Sequence, residues 1–331
     1  MCRAVSRCAN LVINSAPVST EHMRWLATTV VCGLSIATAC SAWSADSKLR
    51  EAGPTPYVRC LAAPAPKAQS GQFGQLGFAL QDRTLTLKPK RWPLRMAAFS
   101  APGFGPAPRA SDLAPLRQAN VDLLLMLGGL GDSEANAEAS AKALAGLGKP
   151  LLVLLGGRDR LGDSESAIDA AGPSIMNITA LRAVRIAGNT LVPVAGADHG
   201  RYAVADDACG FGAKDLAAIA TDLGAVRAGE RRWLVSWQAA AGTATLPSPA
   251  VSATGLDLGS PDLGRFAQQI GAVGALCAWP AGRYEPLVAG PLAGMCLPRL
   301  YGPWVERPDG TRVVPGFVVI ELDDQGLRVV R

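Results

Sequence analysis

Residues 121–159 read VDLLLMLGGLGDSEANAEASAKALAGLGKPLLVLLGGRD, and the fold is decided there. Two apolar runs, Val121–Leu127 and Pro150–Leu155, each end in Gly-Gly. They lack polar alternation and are short, so they read as strands buried on both faces. Between them, Ser133–Leu147 is rich in Ala and other strong helix formers, and at that length it reads as a helix. Strand, helix and strand in sequence, joined by glycine-rich turns, make a parallel βαβ unit.

The pattern extends outward from that unit. Upstream, Gly77–Leu87 reads as a strand or hairpin, Leu94–Ser100 as a short apolar strand, and Ser111–Asn120 as a helix capped by Ser111. Downstream, Asp163–Ala171 reads as a helix, and Ile175–Val194 as two or three strands with Gly188-Asn189 as a turn signal. Ala213–Arg227 is an amphipathic helix, Arg232–Trp237 a strand, Pro261–Ile270 a helix with Pro in its first turn, and Ala272–Trp279 a strand. The remainder reads as strands and turns. The alternating first half predicts an α/β sheet covered on both faces, and the β-rich second half predicts a second sheet packed on the first.

Composition narrows the chemistry. The chain has 331 residues, 49% of them hydrophobic, enough for a full-sized core. Its net charge of +5 is mild and scattered, which argues against a nucleic-acid partner. Only two histidines are present, His22 and His199. A centre built from several imidazoles is therefore excluded. The P-loop, the nucleophile elbow and the HExxH zinc motif are all missing from the sequence.

The N-terminal region reads as a targeting segment. Arg24 is followed by the apolar run WLATTVVCGLSIATA and then Cys40. The run is shorter than the roughly 20 residues of a spanning helix, and its basic start and small-residue exit are those of an export signal. Ala37-Thr38-Ala39-Cys40 resembles a bacterial lipoprotein box, with Ala37 where Leu is commoner. That resemblance implies cleavage before Cys40, lipid on Cys40, and a signal peptide over 1–39, of which 1–22 precede the alternative start Met23. Plain secretion with cleavage near Ala45 is the other reading. Residues 40–76, rich in Ala, Pro, Ser and Gln, read as a tether, and 77–331 as the domain. Ser41 after the Cys is compatible with an outer-membrane protein facing the periplasm. Four cysteines then remain, Cys60, Cys209, Cys277 and Cys296. Export permits two disulfides in any of three pairings, and four buried thiols are the alternative.

The strand ends carry a further pattern. Ser100-Ala101-Pro102-Gly103, Gly128-Gly129-Leu130-Gly131-Asp132, Gly156-Gly157-Arg158-Asp159, Leu234-Val235-Ser236-Trp237 and Leu276-Cys277-Ala278-Trp279 each close a strand, in that order. The series resembles the calcineurin-like metallophosphoesterases, whose motifs are D-x-H, G-D-x-x-D, G-N-H-D/E, a lone His, and G-H-x-H. The resemblance implies a two-sheet αββα sandwich over about residues 77–331. It also implies that the ligands of a two-metal centre are replaced. Ala101 and Gly103 stand for D-x-H, Gly129 for the bridging Asp, Gly157 and Arg158 for Asn and His, Trp237 for the lone His, and Cys277 and Trp279 for the last pair. Only the trailing acids Asp132 and Asp159 match. The resemblance therefore implies a member that keeps the fold, with no metal cofactor expected.

Each remaining polar residue has two readings. His199, in Asp198-His199-Gly200, is a general acid or base or one metal ligand, or else a turn histidine. Asp132 is a relic acid or the cap of the helix that follows. Asp159 is a relic acid or the partner of Arg158 and Arg160. Arg158 binds an anion in place of the lost metal charge, or pairs with Asp159 at the surface. Trp237 and Trp279 fill the space of the metals or form an aromatic floor. The function expected is a non-catalytic envelope lipoprotein that binds an unknown protein or anionic ligand. The rivals are a phosphoesterase rebuilt around Asp132, Asp159, Asp198 and His199, and an anion receptor centred on Arg158.

Overall fold

The computed structural model describes residues 50–51, 57–102, 106–198, 207–251, 255–278, 290–291, 293–302, 305–306, 312–313 and 315–330. The strands β1 (Gln69–Phe73), β2 (Leu76–Gln81) and β3 (Thr84–Lys88) form an antiparallel meander. Then β4 (Leu94–Phe99), α1 (Ala110–Gln118), β5 (Leu123–Leu127), α2 (Glu134–Ala145), β6 (Leu151–Leu154), α3 (Leu161–Ala171) and β7 (Ile175–Asn177) alternate, with β4 to β7 parallel neighbours. Next come β8 (Ala183–Ile186), β9 (Asn189–Val194), α4 (Ala213–Leu223), β10 (Arg231–Ser236), α5 (Pro261–Gln269) and β11 (Ala272–Cys277). The chain closes with β12 (Gly290–Pro291), β13 (Gly294–Cys296), β14 (Val318–Asp323) and β15 (Gly326–Val330).

Two large sheets result. A 7-stranded sheet has the order β12-β15-β14-β4-β5-β6-β7, and an 8-stranded sheet has β13-β11-β10-β9-β8-β3-β2-β1. Each contains parallel strands joined through helices: α1 to α3 between β4 and β7 in the first, α4 and α5 between β9 and β11 in the second. One hydrophobic core draws on both, from Leu85 and Trp233 of one sheet to Leu125 and Ile320 of the other. The inner faces pack together and the crossover helices lie outside. This is the α/β two-sheet sandwich that the sequence predicts. Every residue of β5 and β6 is buried, as continuous apolar runs in a doubly covered sheet require.

The division of strands between sheets differs from the expectation. The halves interleave: the early hairpins at 69–88 belong to the 8-stranded sheet, and the late hairpin β14–β15 joins the 7-stranded sheet beside β4. A parallel run ends in open edges, and antiparallel hairpins extend those edges from either end of the chain. Within 175–194 there are three strands. The β8–β9 turn lies on Ala187 and Gly188, both at positive φ (41° and 79°), the signature of a two-residue type I′ hairpin. Asn189, read as part of the turn, opens β9 instead.

The folded body also begins upstream of residue 77. Cys60 and Leu61 are buried, Cys60 is bonded to Cys209, and Arg59 pairs with Asp215 at 2.7 Å. Arg182 donates to the carbonyl of Leu61 and Arg83 to that of Ala63. These contacts are long-range and largely to backbone, so the Ala- and Pro-rich composition conceals them. The second disulfide joins Cys277 to Cys296, which selects one of the three pairings left open. Helix ends shift too. α4 stops at Leu223 because Gly224 adopts φ 63°, a left-handed stop that glycine supplies without strain.

Candidate functional site

The C-terminal ends of the parallel strands meet at one crevice. Ala101 and Pro102 follow β4, Gly129 follows β5, Arg158 follows β6, and Trp237 and Ala278 follow β10 and β11. Ser100 and Arg299 complete the lining. Loops at these ends are where α/β folds gather function. The sheet registers hold the ends together: Gly128 N–H donates to Leu154 O (2.7 Å), Ala101 N–H to Gly128 O (3.2 Å), and Ala278 N–H to Trp237 O (3.0 Å). The space open to a water centre is about 10 Å³, the room of one water.

Beneath the crevice lies Asp159, wholly buried. Its Oδ2 accepts from the amides of Gly129 (2.9 Å) and Gly156 (2.7 Å), and its Oδ1 from Leu130 (2.7 Å) and Gly131 (3.4 Å). Gly128 and Gly129 make this possible by adopting φ 68° and 86°, which turns three successive amides toward one point. Such a nest of N–H groups is an anion receptor, and here the chain's own carboxylate fills it. Burial pushes the Asp159 carboxyl above its ordinary range, and the four amides draw it back only in part. The expected ion pair with Arg158 or Arg160 is not formed. Arg160 instead bonds Asp207 at 3.2 Å, and Asp159 joins the two glycine-rich loops from within.

Trp237 explains why Gly128 and Gly156 carry no side chain. A Cβ on Gly128 would lie 2.1 Å from Trp237 Cδ1, and one on Gly156 would lie 2.3 Å from the same atom. The indole therefore rests directly on the backbone of both strand ends, and it is 4% exposed. Of the two readings of Trp237, the packing supports space-filling.

Two guanidiniums face the remaining space. Arg158 is half-buried, and burial lowers its pKa first, followed by the nearby positive charge of Arg299. Arg299 carries no signal in the sequence. Its segment runs beside β4: Ser100 N–H donates to Pro298 O (2.9 Å), Leu300 N–H to Ser100 O (2.8 Å), and Gly316 N–H to Arg299 O (2.7 Å). No local motif marks it, because pairing across about 200 residues of chain brings it to the crevice.

The other expected residues are dispersed. Asp132 is exposed and accepts from Asn136 Nδ2 at 2.7 Å. The cap of α2 is Ser133, whose Oγ accepts from Asn136 N–H, and not Asp132. Asp198 is held by Gln238 in a reciprocal pair at 2.7 and 2.9 Å. Gly157 lies buried in the turn before Arg158, and Cys277 is in a disulfide. Cys40, Gly103, His199 and Trp279 lie outside the described residues. Among the described residues, no group of three His, Cys, Asp or Glu side chains is close enough to hold a metal ion. The described donor set at the crevice does not fit a metal pair either. Arg158 and Arg299 repel cations, Trp237 offers no lone pair, and both oxygens of Asp159 are engaged by amides.

No protein-family model matches the chain, and no curated protein does. Solved structures similar to this chain include TT1561 of Thermus thermophilus, at 14% identity over 72% of this chain and 99% of that one, with a TM-score of 0.46. The purple acid phosphatase PPD1 from yellow lupin (Lupinus luteus) seeds is similar at 10% identity over 73% of this chain and 52% of its own, with a TM-score of 0.41.

Proposed function

We propose that this chain is a non-catalytic envelope lipoprotein that uses a phosphoesterase-type sandwich as a binding or scaffold module. The observation that carries the reading is the content of the strand-end crevice: Arg158, Arg299 and Trp237 stand where a two-metal centre needs carboxylates and imidazoles. A metal pair would supply a hydroxide nucleophile and polarise a phosphoryl group. The side chains present instead fill the floor and place positive charge at the mouth. The reading of Cys40 as a lipid anchor rests on its sequence box. The two disulfides support an oxidising compartment.

The test combines metal analysis of purified protein with phosphomonoester and phosphodiester assays in added Mn²⁺. The expected result is sub-stoichiometric metal and no turnover above the blank. Two bound metal equivalents, with turnover abolished by Asp132→Ala, would reverse the reading in favour of a rebuilt enzyme. Independently, Cys40→Ser releases the protein from the membrane fraction, and persistence on the membrane would remove the lipid anchor from the account.

A further inference from the structure

We propose that the end of the sandwich opposite the crevice is a docking face for an anionic lipid bilayer, built from a basic loop around Trp92 and the neighbouring strand starts. This goes beyond the binding-module reading above and does not depend on what the crevice holds. β3 is parallel to β8, which turns into β9, so the end of β3 lies level with the starts of β9, β10 and β11. From there the chain runs Lys88-Pro89-Lys90-Arg91-Trp92-Pro93 into β4, and Lys88, Lys90, Arg91 and Trp92 are all exposed. Trp92 Nε1–H donates to Asp324 Oδ1 (3.1 Å) in the β14–β15 turn, which holds the indole at the surface. On the other side of that turn, Asn189 Nδ2 donates to Asp323 O (3.3 Å), and a Cβ on Gly326 would lie 3.4 Å from Arg231 Cδ. Arg231 opens β10, and the loop before it exposes Val226 and Arg227. Val226 lies over Gly271, where a Cβ would be 3.0 Å from its Cγ2, and β11 then exposes Val273. Loop, turn and strand starts form one continuous strip.

Its composition identifies the occupant. Four large apolar side chains are exposed among the described residues, and Trp92, Val226 and Val273 are three of them. Lys88, Lys90, Arg91, Arg227 and Arg231 lie beside them, and none of the five is in an ion pair among the described residues. The acids of the strip are engaged within it: Glu230 by Arg232 and Thr190, Glu321 and Asp323 by Arg328, and Asp324 by the Trp92 indole. A bilayer surface uses all of these groups. Trp settles at headgroup level, aliphatic side chains enter the acyl boundary, and each cation near anionic headgroups raises partitioning roughly fivefold. A nucleic acid would use the cations and the indole but offers the two valines nothing. The lengths also agree. Cys209 O accepts from Ala197 N–H beyond the far end of β9, so the Cys60–Cys209 bond lies at the crevice end. The chain from Cys40 to Cys60 can span about 65 Å, and β9 is about 20 Å long. A lipid on Cys40 and this face can therefore share one bilayer, with the crevice turned away from it.

The experiment uses the full chain carrying Cys40→Ser, so that no attached lipid contributes. Co-sedimentation is measured with vesicles of phosphatidylcholine alone and with phosphatidylcholine in which about one third is replaced by phosphatidylglycerol. The expected result is binding at least about tenfold tighter to the anionic vesicles, weakening as salt is raised. The triple variant Lys88→Gln, Lys90→Gln, Arg91→Gln lowers that affinity about a hundredfold, whereas Lys88→Arg with Lys90→Arg retains it. Trp92→Ala, and Val226→Ser with Val273→Ser, each lower it several-fold. Unchanged melting confirms that each variant is folded, and any contribution of the leader is common to all of them. Equal binding to both vesicle types, or binding indifferent to the triple variant, overturns the proposal. Binding indifferent to Trp92 and both valines also overturns it, and competition by a single-stranded oligonucleotide then identifies a nucleic acid as the occupant. Such a failure leaves the non-catalytic reading standing, since that one falls only on metal content and turnover.

Discussion

Asp159→Asn is the most informative single change, because it keeps size and shape while removing one acceptor. The carboxylate faces four backbone donors, two on each oxygen: Gly129 and Gly156 on Oδ2, Leu130 and Gly131 on Oδ1. An amide offers one oxygen and one NH₂. Whichever way it is turned, two buried N–H groups point at another donor. Each orphaned donor costs about 1–3 kcal/mol, so the pair costs about 2–6 kcal/mol. A domain of this kind has a total stability of only about 5–15 kcal/mol, so the loss is large. Urea unfolding at pH 7, with an unchanged slope to show that the folded state stays compact, measures it. A variant within about 0.5 kcal/mol of wild type would refute the reasoning. It would mean that Asp159 is held as the neutral acid, which burial favours, and that the nest is not closed by an anion.

Three further changes probe the same physics. Gly156→Ala drives a methyl group into the Trp237 indole and costs about 1–3 kcal/mol; in a Trp237→Ala background that penalty should vanish in thermal or urea unfolding, and additivity would show that the two residues do not touch. Glu230 accepts from Arg227 N–H, Arg232 and Thr190, and although burial opposes them these bonds hold its carboxyl below the ordinary range. A depressed folded pKa stabilises above the unfolded value of about 4.3 and is lost as pH falls through the folded value. Glu230→Gln should therefore be less stable than wild type at pH 7, with the gap closing below about pH 4; a pH-independent gap contradicts the assignment. The disulfides close chain separations of 149 and 19 residues. Loop-closure entropy makes removal of Cys60–Cys209 cost about 5 kcal/mol and removal of Cys277–Cys296 about 3; the reverse order in paired Cys→Ser variants would reject that account.

What could be read from the sequence was what is periodic or local. The runs Val121–Leu127 and Pro150–Leu155 announce buried parallel strands because a doubly covered sheet leaves no polar face, and both strands lie where the pattern puts them. The glycines after them were legible as strand-end loops. Their purpose was not, since the indole pressing on Gly128 and Gly156 comes from a strand about 80–110 residues downstream. Asp159 misled for a related reason. Between two arginines in sequence it suggests an ion pair, but successive side chains at a strand end diverge, and its carboxylate turns inward to amides. Arg299 was illegible, because only the cross-chain pairing of Ser100 with Arg299 gives it a place.

These placements bear on how the strand-end loops are held in place. A metal site holds its loops by coordination, and carboxylates left without cations would repel one another. Here the buried carboxylate of Asp159 is compensated by backbone dipoles rather than by a cation. The packing volume is taken by indole. Two guanidiniums, those of Arg158 and Arg299, line the crevice. Loops tied from within by one carboxylate form a rigid frame at the strand ends. Neutralising Asp159 should therefore loosen both glycine-rich loops together, because its carboxylate is the one group that bonds the amides of each.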